Sequence, residues 1–327
     1  MPTTLATLTD RPRAIAAGLA AAAVFLVPSL APETASAATA KSAYGWPVKP
    51  FHVQHPVRGF FGDPRIGMTP KGMRSSFHFG IDISCPNGTP VYATLDGIVR
   101  LEWFRPETVS ILGRDGHTEL QYWHVKPAVH NGQRVKAYST VVGWALAPWE
   151  HVHFSERRDG VYVNPLRPGA LGPFADGTRP SVKQLRAEAR GRPLSVARGS
   201  VDLVVEAYDE TPIAVPGRWG GKPVTPALLR WRLTTVSGRV VRPWRSAIDH
   251  RLTIPANDLY STQYGRWTRQ NKRNRPGRFR FVIESGWDTR TVADGRYVVE
   301  VAASDLSGNS AAARFPIRVA NALLGAH

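Results

Sequence analysis

Three short patterns, far apart in the chain, carry side chains able to do chemistry. The first is Ser76-Phe77-His78-Phe79-Gly80-Ile81-Asp82-Ile83, with a histidine and an aspartate four residues apart. The second is Gln121-Tyr122-Trp123-His124-Val125, and the third is His151-Val152-His153-Phe154. Side chains alternate along an extended strand, so His151 and His153 share a face, as do positions 78, 80 and 82 if that segment is extended. Gly80, between the two polar side chains, leaves room for an ion or a substrate backbone. Two imidazoles and one carboxylate can then converge on a metal ion, with one imidazole to spare. Three protein ligands with an open fourth position is the arrangement of catalytic zinc, whereas structural zinc is closed by four ligands. Each pattern alone is weak, because a surface or hydrogen-bonded core histidine satisfies it equally well. Their ordered combination carries the reading.

The elements that position these side chains are expected to be short strands. Turn dipeptides recur at Asn87-Gly88, Asp96-Gly97, Asp115-Gly116, Asn131-Gly132, Asp159-Gly160, Ser237-Gly238 and Asp294-Gly295, with alternating runs between them. In one such run Val91, Ala93 and Leu95 alternate with Tyr92, Thr94 and Asp96. Beyond the N-terminus, helical periodicity is confined to residues 182–189. The chain therefore reads as mainly β. Glycine and proline crowd residues 168–180, and a basic segment with few core-forming residues follows. A linker is expected at 171–198, between a domain at 38–170 and a second at 199–321. The second set of strands opens at Val201-Asp202-Leu203-Val204-Val205-Glu206-Ala207. It closes with Tyr297-Val298-Val299-Glu300-Val301 and Phe315-Pro316-Ile317-Arg318-Val319, which suggests a β-sandwich.

The chain has 327 residues, 42 of them Lys or Arg against 25 Asp or Glu, a formal balance of +17. With 43% hydrophobic and 20% charged residues, and ten Trp, it is no disordered or low-complexity chain. One cysteine, Cys85, excludes an intramolecular disulfide and a multi-cysteine zinc site; it reads as a small packing residue. Arg11 and Arg13 precede an apolar stretch of 14 residues, 14–27, and Ala35-Ser36-Ala37 offers a small-x-small cleavage site. Residues 1–37 are therefore expected to be a signal peptide. The stretch is too short for a membrane span, so the mature protein is expected to lack an integral membrane segment and to be secreted or held in the cell envelope. There the abundant polyanions are wall polymers, acidic peptides and lipid headgroups rather than nucleic acid, and a cationic chain is attracted to them.

The ordered landmarks resemble a known family, the lysostaphin-type (LytM-like) zinc metallopeptidases, which cleave peptide stems or cross-links of bacterial peptidoglycan. The resemblance covers roughly residues 46–168. It runs from Phe60-Phe61-Gly62-Asp63-Pro64-Arg65 through His78 and Asp82 to Gly88-Thr89-Pro90-Val91-Tyr92-Ala93 and Asp96-Gly97-Ile98-Val99. It continues with Tyr122 and His124, Gly132-Gln133-Arg134-Val135, His151, His153 and Phe154, and ends at Val163-Asn164-Pro165-Leu166. It implies an antiparallel β catalytic domain of the duplicated hybrid motif type, and one zinc ion held by His78, Asp82 and His153. His124 and His151 would be the catalytic histidines that do not hold the metal. His151 would serve as general base and His124 as oxyanion stabiliser, although the two roles could be exchanged. The last strands, with Asp294-Gly295-Arg296-Tyr297 before Asp305-Leu306-Ser307-Gly308-Asn309, resemble the closing hairpin of bacterial immunoglobulin-like modules, which implies an immunoglobulin-like sandwich.

One stretch departs from the family. Family members carry a Gly/Ser/Thr-rich loop before the His-x-His strand, where this chain has Val142-Gly143-Trp144-Ala145-Leu146-Ala147-Pro148-Trp149-Glu150. Trp144 and Trp149 could stack on sugar or peptide or simply pack between strands, and Glu150 should point away from the face of His151. His52 or His55 could fill the open metal position in a latent form. Residues 265–281 hold Arg266, Arg269, Lys272, Arg273, Arg275, Arg278 and Arg280 with Trp267, Phe279 and Phe281 and no acid. In an exported protein an anionic wall polymer is the candidate partner for them, and a solvated loop is the bland alternative. The functional reading is an exported zinc endopeptidase acting on peptidoglycan. Its alternatives are an inactive relative that binds the wall or regulates another hydrolase, and a zinc peptidase acting on proteins.

Overall fold

Alternating apolar and polar runs pair into antiparallel sheets throughout residues 42–69 and 72–322, which the computed structural model describes. The expected leader, 1–37, lies outside the described residues. In the first half the main sheet runs Val57–Gly59, Ile81–Ser84, His151–Arg158, Thr118–Trp123, Thr108–Gly113, Gly97–Arg100 and Arg134–Val135, with Val161–Val163 paired to the end of the His151 strand. A three-stranded sheet of Pro90–Tyr92, Val141–Ala145 and Val125–Pro127 accompanies it. Ile81, Ile83, Val109, Ile111, Leu120, Tyr122, Val152 and Phe154 form one buried core with Val91, Val125 and Val142 from the smaller sheet. Alternation does the sorting. Val152 and Phe154 enter this core, so His151 and His153 are left on the opposite face.

The second half is two four-stranded antiparallel sheets over one core. One is Arg192–Leu194, Ser181–Ala189, Ser200–Tyr208 and Arg280–Asp288; the other is Val240–Asp249, Leu228–Thr235, Gly295–Ser304 and Ser310–Val319. Leu203, Val205, Phe281 and Trp287 of the first meet Leu229, Trp231, Val299 and Val301 of the second. Residues 182–189, whose spacing reads as helical, are strand here. Val182, Leu185 and Ala187 pack on the sandwich core while Arg186 and Glu188 pair across to Val204 and Asp202, so tertiary pairing overrides the local period. The stretch expected to be a linker, 171–198, thus holds two strands of the sandwich.

The described residues belong to one compact unit, and the two cores interlock. Phe77 sits in the sandwich core against Tyr260, Tyr264 and His250, and Val224 sits in the first core. The Tyr264 hydroxyl donates to the Gly62 carbonyl at 2.7 Å, and Thr225 N–H to Asp63 Oδ1 at 2.8 Å. Trp231 lies at the centre of the sandwich, 1% exposed. Trp231→Ala is expected to cost about 3–5 kcal/mol through the cavity it opens, which a denaturant titration of the full chain would read.

Candidate metal and catalytic site

The strand His151–Arg158 lies between Ile81–Ser84 and Thr118–Trp123, in a register that sets His153 opposite both Asp82 and Trp123. His78 is not on a strand. It sits in the connection after Gly72–Phe77, its N–H donating to Asp63 O at 2.9 Å and its carbonyl accepting from Gly62 N–H at 2.8 Å. A clamped loop, rather than alternation along one extended segment, therefore brings His78 to Asp82. Gly80 also serves differently from the expectation. A Cβ there would press on the Phe154 carbonyl and lie 2.6 Å from Ser155 Oγ and 2.8 Å from His153 Nε2, so the glycine admits the neighbouring strand rather than an ion or substrate.

Three of the expected residues converge. His78 Nε2 is 2.7 Å from His153 Nδ1 and 3.1 Å from Asp82 Oδ1, and His153 Nδ1 is 3.2 Å from the same oxygen. Each is oriented from behind. His78 Nδ1–H donates to the Phe60 carbonyl at 2.9 Å, which leaves a lone pair on Nε2. Ser155 Oγ lies 2.8 Å from His153 Nε2 and is able to accept its N–H, the tautomer that puts the lone pair on Nδ1. Arg65 donates to Asp82 Oδ2 at 2.8 Å and leaves Oδ1 facing the imidazoles. Two nitrogen lone pairs and a carboxylate oxygen so close repel one another unless a cation lies among them. Tetrahedral zinc bonds of about 2.0–2.1 Å place ligand atoms roughly 3.3 Å apart; the two separations to Asp82 Oδ1 lie close to that, and the two nitrogens, at 2.7 Å, need to part by about half an ångström. The residues fit a metal ion. Burial depresses both ring pKa values, that of His153 to about 3, so the imidazoles are neutral at pH 7 as ligands must be. Burial pushes the Asp82 carboxyl up, but His78, His151 and Arg65 outweigh it and hold it well below the usual carboxylate range.

His124 and His151 lie beside this cluster, their ring centres 4.9 Å apart. His151 Nε2 is 3.2 Å from Asp82 Oδ1. Its Nδ1 is 2.7 Å from the Trp149 carbonyl and 2.6 Å from an Arg58 amine that also donates to that carbonyl at 2.8 Å. His124 breaks the chain between Thr118–Trp123 and Val125–Pro127 with φ +62°, a left-handed conformation uncommon outside glycine. That break swings its ring onto Trp149, stacked at 4.1 Å and 23°. The ring nitrogens of His124 make no hydrogen bond among the described residues. Burial, then the neighbouring histidines, push the His124 pKa down to about 3.

All five side chains open into one groove of about 580 Å³. Its other wall comes from the second half of the chain through Trp219, Gln270, Asn271 and Arg273. Arg58 stacks 4.0 Å over Trp219, Arg273 pairs with Glu150 at 3.2 Å, and Ile66 N–H donates to Gln270 Oε1. Glu150 thus turns from His151 towards Arg273. Trp149 lines the groove; Trp144 does not. His52 packs on Tyr138 and His55 on Trp46, both away from the groove, so neither blocks the metal position. Cys85 is a buried member of the first core, its thiol pushed up to about 11 by burial.

Arg58, Arg65, Ser155 and Trp219 had escaped the sequence reading. Arg65 lies in the Phe60–Arg65 landmark and Ser155 shares the alternating face of His151 and His153, so a signal existed for both. Nothing in the local pattern distinguishes Arg58 or Trp219.

Residues 76–165 match peptidase family M23. No curated protein matches the chain. Among solved structures, the catalytic domain of the antimicrobial peptidase lysostaphin from Staphylococcus simulans is similar at 24% identity, over 33% of this chain and 86% of that one, with a TM-score of 0.27. LytU is similar at 23% identity over 36% of this chain and 86% of that one, TM-score 0.28. A zinc-containing peptidase from Vibrio cholerae is similar at 24% identity over 38% and 39%, TM-score 0.30.

The close approach at Gly80 has a measurable consequence. Gly80→Ala is expected to lower stability by about 1–3 kcal/mol through overpacking and to weaken metal uptake by displacing His153. Thermal melts with and without added zinc would check both.

Proposed function

We propose that this chain, whose residues 76–165 form a peptidase family M23 domain, is a zinc metalloendopeptidase that hydrolyses peptide bonds in bacterial peptidoglycan. The observation that carries the reading is the buried meeting of His78 Nε2, Asp82 Oδ1 and His153 Nδ1, with two further imidazoles facing the same groove. When bound by these three residues, zinc supplies Lewis-acid activation of water and of the scissile carbonyl.

The remaining chemistry belongs to the chain. His151 takes the proton of the attacking water at Nε2 and delivers it to the leaving amine, a role its proximity to the cluster supports. For that, Nδ1 must carry the hydrogen and donate to the Trp149 carbonyl. The Arg58 amine beside Nδ1 favours the opposite tautomer, so the Arg58 contact sets how readily Nε2 is freed. His124, neutral and held flat against Trp149, donates a ring N–H to the oxygen that gains charge as the carbonyl is attacked. No covalent intermediate is needed. Trp149 and Trp219 on opposite walls offer flat apolar faces to an extended peptide.

Export through residues 1–37 and action in the cell envelope are part of the proposal. Among the described residues no helix is long and apolar enough to cross a membrane. The balance of +17 supports retention near anionic wall polymers. The basic run contributes less to that than its composition suggests, because Arg273, Arg278 and Arg280 are engaged by Glu150, Glu206 and Glu188. Arg266, Arg269, Lys272 and Arg275 remain exposed for such contacts.

Purified mature protein is expected to carry one zinc per chain and to release peptide fragments from purified walls but not from casein. His78→Ala, Asp82→Ala and His153→Ala should lose both metal and activity. His151→Ala and His124→Ala should keep the metal and lose about 10²–10⁴-fold in kcat. Metal analysis beside mass spectrometry of the fragments reads each outcome. Wall lysis undiminished in Asp82→Ala or His151→Ala would refute the mechanism. Digestion of casein in preference to walls would refute the substrate.

A further inference from the structure

Phe60, whose carbonyl holds His78, also lines a second and much smaller cavity, together with Leu166, Phe174 and three aspartates. Asp176 comes from the connection after the peptidase region, Asp209 follows the strand Ser200–Tyr208, and Asp305 follows the strand Gly295–Ser304. One carboxylate oxygen of each lies within 4.8 Å of those of the other two, and all three side chains are buried. The cavity has about 10 Å³ of free space, room for roughly one water-sized sphere.

Hydrogen bonds account for only part of this group. Asp176 Oδ1 accepts from Thr178 N–H at 2.8 Å and from its hydroxyl at 2.5 Å. Asp209 Oδ1 accepts from Glu210 N–H at 2.9 Å. Asp305 Oδ1 accepts from Ser307 and Asn309 N–H, and its Oδ2 from Asn309 Nδ2, which also donates to the Asp176 carbonyl. Asp176 Oδ2 is buried with no partner at all. No Lys or Arg among the described residues forms an ion pair with any of the three. Burying carboxylates together without a cation is costly, and a buried charged oxygen without a partner more so.

We propose that Asp176, Asp209 and Asp305 bind a calcium ion at the seam between the peptidase region and the sandwich. The donors are all hard carboxylate oxygens, with no nitrogen or sulfur to favour zinc, and calcium accepts irregular carboxylate sets that magnesium does not. Without a cation the three cannot all ionise at neutral pH. Burial and the charges of its two neighbours push the Asp209 carboxyl up to about 8, and burial raises Asp176 and Asp305 as well. Calcium binding therefore displaces protons from the group. The ion joins a strand end from each sandwich sheet to the connection that leaves the peptidase region, in a cavity walled by Phe60 and Leu166. It is a clamp on the seam rather than a second reaction centre.

Asp176→Asn tests this directly, because the amide keeps the Thr178 hydrogen bonds and removes only the unpartnered oxygen. The full chain, stripped with EGTA, resupplied with zinc and then equilibrated with calcium and desalted, should retain one calcium per chain beside its zinc. At a hundredfold excess over the dissociation constant, calcium should raise its melting temperature by about 5 °C. Asp176→Asn and Asp209→Asn should lose the calcium and the shift while keeping their zinc, with unliganded stability equal to or above that of the parent chain. Absence of calcium retention and of any shift in the parent chain would overturn the proposal. So would a shift surviving in both variants, or a response to magnesium in place of calcium.

Discussion

Two imidazole nitrogens and a carboxylate oxygen cannot rest within about 3 Å of one another, away from water, unless positive charge lies among them. The architecture of the first half enforces this arrangement on His78, His153 and Asp82. The Phe60 carbonyl, the Ser155 hydroxyl and Arg65 each engage the far side of one of these groups and turn its lone pair inward. The cost of holding such donors together is met by the folded sheet around them, with Val152, Phe154, Ile81 and Ile83 anchoring the same strands on the other face. Preorganisation of this kind suits three ligand atoms to a single cation, and His124 and His151 stand beside them in the same groove.

The second half of the chain does not stand apart from that centre. Trp219, Gln270, Asn271 and Arg273 form one wall of the groove, and Phe77, adjacent to His78, is buried in the sandwich core. The backbone of Gly62 and Asp63, which clamps His78, is itself held by Tyr264 and Thr225. Geometry at the site and packing of the sandwich are therefore mechanically continuous. A change in the seam reaches His78 through two hydrogen bonds.

The short aromatic segment before His151 shows how one departure from a family pattern is absorbed. Trp149 takes up the flank of His124, and Glu150, at φ +53°, reaches Arg273 across the groove. The segment thus does two jobs, holding the His124 ring in place and tying the two walls together.

Much of the site was legible in the chain itself. Strand alternation places His151 and His153 on one face, turn dipeptides mark the hairpins, and residue types restrict metal chemistry to imidazole and carboxylate. Those features depend on neighbours in sequence, where backbone geometry alone is decisive. The rest depended on partners distant in the chain. The run 182–189 became strand because Ser200–Tyr208 offers it a pairing edge, Gly80 is small because strand His151–Arg158 passes against it, and Arg58 matters only because folding sets its guanidinium between His151 and Trp219. Likewise three aspartates spread over some 130 residues carry no common motif. Long-range packing is what makes neighbours of them, and no local period or spacing encodes that.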